Sequence, residues 1–109
     1  MNVKELADKL NAEILTGDIN LDREVKNGYV GDLLSWVMSK AQQDDAWVTI
    51  MSNTNIVAVA VLTDVACIVL SEDVDPEKNT LEKAMEQEVA ILKTKLSSFE
   101  AACVIQESL

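Results

Sequence analysis

Asn55-Ile56-Val57-Ala58-Val59-Ala60-Val61-Leu62, then Thr63-Asp64, then Val65-Ala66-Cys67-Ile68-Val69-Leu70, is the stretch on which the fold turns. The run Ile56–Leu62 has the Val-Ala alternation of a strand, but capping residues precede it and a polar break follows it, as for a buried helix. The run from Ala66 to Leu70 is the better strand. Two consecutive strands here would need a tight hairpin, and Thr63-Asp64 offers no turn glycine. The first run is therefore read as a helix and the second as a strand.

Working outward, Ala46–Met51 is rich in strand formers and Ser52–Asn55 in loop and capping residues. Val25–Val30 reads as a strand with Asn27-Gly28 as a bend or bulge inside it. Asp32 is placed to cap a helix whose broad apolar face is Leu33, Leu34, Val37, Met38 and Ala41. Gln42–Asp45 is a polar break, with Asp44-Asp45 read as a solvated turn. Downstream, Asp75-Pro76 suggests an N-cap with proline at the first helical position, continued by Leu81, Ala84 and Met85. Val89–Leu92 is a short strand. Ser97-Ser98-Phe99-Glu100 has the spacing of a capping box, opening a last helix expected to carry Phe99, Ala102 and Cys103 on one face.

Ahead of this series, Asn2 with Glu5 caps a helix whose stripe is Val3, Leu6, Ala7 and Leu10, and Ala12–Thr16 makes a short strand closed by Gly17-Asp18. From Val25 strands and helices alternate four times, the signature of a mostly parallel sheet with helices on its faces. The expectation is one three-layer α/β/α domain over residues 1–109.

Composition bounds the chemistry. The chain has 109 residues, 49% of them hydrophobic, enough for a core without disulfide or metal staples. Its formal charge of −10 disfavours nucleic acid and anionic membrane surfaces as partners. No apolar run approaches the length of a membrane span, and the N-terminus lacks the features of a signal peptide. Cys67 and Cys103 lie in apolar surroundings and are expected to be buried, reduced thiols of a cytoplasmic protein.

There is no histidine, which removes the commonest general base and most catalytic zinc sites. The three glycines, Gly17, Gly28 and Gly31, cannot form a phosphate-cradling P-loop. No catalytic residue, no metal and no cofactor is assigned. Glu72, Asp73, Asp75 and Glu77 cluster, but lack the loop pattern of a calcium site and read as a solvated helix start.

In an open parallel sheet ligands gather at the C-terminal strand ends. The candidate binding residues are therefore Gly31, Asp32, Asn53, Asn55, Ser71, Thr94 and Ser97. Against this stands the plainer role of Asp32, Asn55 and Ser97 as helix caps. Trp36 lies off the apolar stripe of its helix and is the first candidate for an interface. Tyr29 is the second, although it and Trp47, on neighbouring strands, also suit the core.

Leu21-Asp22-Arg23-Glu24-Val25, then Gly28-Tyr29-Val30-Gly31-Asp32-Leu33-Leu34-Ser35, resembles the opening of the short DRTGG domains. Asn55–Ala60 and Ser98–Ala102 fit the same family in order. The resemblance implies a fold like the N-terminal domain of HPr kinase/phosphorylase. It also implies an accessory, self-associating role, as in the regulatory insertions of pyrophosphatases with CBS domains and of phosphate acetyltransferases. Two departures count against a phosphate site. Larger relatives usually carry a Gly-Asp-Arg-like turn where this chain has Ser52-Asn53-Thr54-Asn55, and often Thr-Gly-Gly after the next strand, where it has Leu70-Ser71-Glu72-Asp73. The expected function is a regulatory or assembly module that forms a homodimer or docks a protein partner, with an anion or nucleotide sensor as the alternative.

Overall fold

The computed structural model describes all residues, Met1–Leu109. Five helices and five strands follow in the order α1 (Val3–Lys9), β1 (Glu13–Ile14), β2 (Asn27–Val30), α2 (Leu34–Lys40), β3 (Asp45–Thr49), α3 (Asn55–Thr63), β4 (Cys67–Leu70), α4 (Lys78–Gln87), β5 (Ile91–Lys93) and α5 (Ser98–Ser108). The strands form one sheet ordered β1-β5-β4-β3-β2. The β2–β3, β3–β4 and β4–β5 pairs are parallel, and only β1 runs antiparallel, against β5.

Strand alternation explains why two helical layers are needed. Ala46, Val48, Cys67, Val69 and Leu92 point to one face and pack with Val3, Leu6, Ala7 and Leu10 of α1 and Ala101 and Ile105 of α5. Trp47, Ile68, Leu70 and Ile91 point to the other and pack with Val37, Ile56, Val57, Ala60 and Ala84 of α2, α3 and α4. Every residue of β3 and β4 is buried, so β4 is a continuous apolar run and β3 is apolar between its buried polar ends Asp45 and Thr49. The ambiguous run is the helix α3, whose Ile56 and Val57 are fully buried.

Several local expectations are corrected. Asn27-Gly28 is no bulge, because its pairing with Asp45 and Ala46 is unbroken. Gly28 instead permits close packing: a Cβ there would lie 3.0 Å from Cγ2 of Ile105. The buried face of α5 is Ala101 and Ile105, while Phe99 is 78% exposed and Cys103 is exposed. On α2 only Val37 is buried, and Leu33 and Met38 face out. Helix α4 starts at Lys78 with Glu77 as N-cap, two residues beyond Pro76, because Asp75 is drawn instead to Lys93.

Asp44-Asp45 is not a solvated turn either. Asp45 is buried and its Oδ2 accepts from the Gln42 amide, leaving Oδ1 without a partner. Burial raises its pKa, with the neighbouring Asp44 charge adding to the effect. Asp44 shifts the other way, held down by its hydrogen bond with Arg23 and by Lys26. Arg23, the only arginine, also reaches the Asp64 carboxylate and carbonyl, so it ties together the N-terminal ends of β2, β3 and β4.

Candidate functional site

Six of the seven candidate binding residues lie in the loops that leave the C-terminal strand ends and Asn55 opens α3, but most of their polar groups are taken up by other groups of the chain. Asp32 does not cap α2, whose N-cap is Leu33. Its Oδ1 accepts from Thr49 Oγ1 at 2.8 Å and from the Ile50 amide at 2.9 Å, pinning the loop after β2 to the end of β3. The Gly31 carbonyl accepts from the Trp47 indole at 2.9 Å, and its amide donates to the Val48 carbonyl. Asn53 accepts from the Asn55 amide. Asn55 is the first residue of α3, behind the N-cap Thr54, and so does not cap the helix.

On the β4–β5 side, the buried Ser71 hydroxyl lies 2.7 Å from that of Ser98. Thr94 donates to the Leu10 carbonyl at 2.9 Å. Ser97 does cap α5, in a capping box with Glu100 that lowers the Glu100 pKa through the backbone bond from Ser97. The Ser98 amide donates to Oε2 of Glu72 at 2.9 Å, so the α5 N-terminus already holds a carboxylate of the chain itself.

Glu72 and Asp73 are both left-handed, at φ 59° and 60°, where a glycine pair would sit without strain. Their amides bond to the carbonyls of Leu96 and Thr94, which holds the conformation in place. Asp73 and Asp75 then flank Lys93, the Asp75 bond raising the lysine pKa. The acidic cluster is thus a salt-bridged loop, and no group of acids in the molecule has the arrangement to hold a metal ion.

A hollow of about 290 Å³ opens beside this loop and is lined by Asn11, Glu13, Asp73, Lys93, Thr94 and Lys95 with Leu10 and Leu96. Of the candidates only Thr94 reaches it. Lys93 and Lys95 were overlooked in the sequence, where their alternate spacing at the end of β5 was the available signal. Cys67 is fully buried, which pushes its thiol up to about 12 and leaves it unreactive.

Apolar exposure gathers elsewhere. Trp36 is 59% exposed with Lys40 Nζ 5.7 Å above its ring, and one turn away Leu33 is 62% exposed. Val30 ends the neighbouring edge strand and Ile50 follows β3, both also exposed. Tyr29 is half-buried against the α2–α4 side of the core. Of the two interface candidates, Trp36 is thus exposed on α2, whereas Tyr29 on the edge strand is partly packed into the core.

The model of the DRTGG domain family matches residues 5–108. Among solved structures, a crystal structure of the CBS and DRTGG domains of the regulatory region of Clostridium perfringens pyrophosphatase, complexed with the activator diadenosine tetraphosphate, superposes with a TM-score of 0.80 at 21% sequence identity. The match covers 99% of this chain and 47% of that one, so this chain spans about half of its length. No curated protein sequence matches the chain.

Proposed function

We propose, for a chain that belongs to the DRTGG domain family, that it is a non-catalytic regulatory or assembly module that acts by self-association as a dimer. One observation carries the reading: polar groups of the strand-end loops are taken up within the chain, while Val30 on the edge strand and Leu33 and Trp36 at α2 stay exposed. The absence of histidine and of any P-loop supports a role without chemistry. No helix is long and apolar enough to cross a membrane, in keeping with a cytoplasmic setting for the module. The region that includes Trp36 could equally receive a second protein, and a dimer is favoured because the relatives are accessory domains.

Light scattering across the micromolar range tests this, with a dimer expected and a strict monomer counting against it. A Trp36→Glu variant should weaken the association. The alternative, a small-molecule sensor, is supported by the hollow at Lys93 and Lys95. Its test is a thermal-shift screen with nucleotides and phosphorylated metabolites, since binding raises stability by mass action. Glu72 at the α5 N-terminus is the reason this reading ranks second.

A further inference from the structure

We propose that the partner surface is the free edge of β2, paired antiparallel with β2 of a second copy about a twofold axis at Tyr29, to give one continuous sheet. This deepens the self-association read above and rests on it.

The edge itself comes first. β2 is the last strand of the sheet, bonded only to β3. Just upstream, the same side of the chain is covered: the Val25 amide donates to the Met1 carbonyl, and the Val3 amide to Arg23. The cover stops before β2. With Val30 in register with Val48, the Gly31 amide donates to the Val48 carbonyl. Bonding alternates along a strand, so Tyr29 and Gly31 serve β3, while Gly28 and Val30 turn their N–H and C=O groups outward. The sequence Asn27-Gly28-Tyr29-Val30 contains none of the charges or prolines that blunt exposed edges.

Shape then selects one register. When Gly28 of each copy faces Val30 of the other, both pairs exchange N–H and C=O bonds, and Tyr29 faces Tyr29 across the axis. Side chains at Gly28 and Val30 share the α5 face, where a hollow of about 120 Å³ lies between β2 and α5, lined by Ala102, Ile105 and Leu109. Gly28 and the Ile105 packed against it form part of its wall, and Val30, 49% exposed, is the apolar knob that would fill it in the other copy. On the opposite face Leu33 and Trp36 of each copy flank the tyrosine pair.

The neighbouring registers fail on the same residues. Moving the second strand toward the start of β2 drives it into Met1, which already covers Val25. Moving it the other way sets the Asp32 carboxylate opposite the apolar hollow, and Gly31 cannot help because Val48 and the Trp47 indole occupy it.

Sedimentation equilibrium of Val30→Lys, read beside its circular dichroism, tests the surface. Val30 is exposed, so the variant should fold as the parent does, with dimerisation weakened about a hundredfold or more by two lysines forced into apolar hollows. Tyr29→Cys in a Cys103→Ser background should oxidise to a disulfide-linked dimer, because facing residues of a non-bonded antiparallel pair lie about 4.5 Å apart at Cα. A dimer that survives Val30→Lys overturns the β2 edge while leaving self-association standing. So does a dimer cross-linked by Trp36→Cys but not by Tyr29→Cys. A parent protein that sediments as a monomer removes both.

Discussion

At one edge of the sheet β1 offers two residues, Glu13 and Ile14; at the other β2 offers four, Asn27 to Val30. The short edge carries an exposed acid whose cross-strand neighbour is Lys93, and its chain turns away at Gly17 in the left-handed region, φ 65°. The long edge is uncharged, in unbroken register, and bordered by exposed Val30, Leu33 and Trp36. Brevity and charge are two of the devices that keep an edge from pairing, and the chain spends both on β1. In a protein with 28 charged residues, counted as 9 basic and 19 acidic, an uncharged four-residue edge is a choice of the sequence rather than a shortage of charge.

The two edges also differ in what backs them. Behind β2 stands α5, whose fully packed Ile105 meets Gly28. Ile105→Ala should cost about 2–5 kcal/mol by leaving a cavity. Ile14 on β1 is only partly buried, so Ile14→Ala should cost clearly less. Denaturant unfolding of the two variants separates the edges, and equal losses would break the contrast.

They are anchored by different forces as well. β1 is followed by a neutral bond, the Ile91 amide to buried Thr16, whereas β2 begins at the Arg23–Asp44–Lys26 ion pairs. The folded pKa of Asp44 is lowered, so its contribution is present above the ordinary carboxylate value of about 3.9 and is lost as pH falls through the folded value. Acid should therefore loosen the start of β2 before β1, which amide exchange of Lys26 against Leu15 would detect. Asp45 has the opposite sign. Its raised pKa gives stability that is full below about 3.9 and lost as pH rises through the folded value, so its charge is unfavourable at neutral pH. Asp45→Asn should raise Tm at pH 7, with the gain shrinking toward pH 4.

Smaller effects follow from charge and backbone. Two copies of a −10 chain repel, so added salt should tighten the β2 dimer. Sedimentation that shows weaker association in salt would point to an ionic surface instead. Asp73→Gly relieves a left-handed residue, a strain of about 1–2 kcal/mol, but loses one of the two carboxylates on Lys93. A modest rise in Tm is expected. Glu13→Thr should do least: with only two residues, β1 remains too short to pair even without its acid, and the variant should associate no more than the parent.

Most of the fold was legible because the signals were local. The alternation of apolar runs gave every element from β2 to α5, and the capping boxes at Asn2 and Ser97 are present as the spacing predicts. The turn argument correctly separated α3 from β4. Faces and partners were less legible. The one aromatic of α5, Phe99, drew the predicted stripe toward itself, but it is exposed and the small Ala101 two residues on faces the core. Asp75 resembled a cap until Lys93, 18 residues away, claimed it. Asp32 was lost to Thr49 and Ile50 in the same way. The strand-end positions of the binding candidates could be read, whereas the bonds that occupy Asp32, Ser71 and Thr94 come from distant segments. The β2 edge went unseen because an edge is a property of strand order, and nothing in Asn27–Val30 alone says that no strand lies beyond it.

Amide hydrogen exchange of the unmodified protein, followed residue by residue as concentration rises, tests the account most directly. Exchange at Gly28 and Val30 should slow with concentration, in step with the dimer fraction, while Glu13 and Ile14 on the other edge stay unchanged. Exchange at Gly28 and Val30 that is indifferent to concentration while a dimer forms would contradict the pairing of β2 edges.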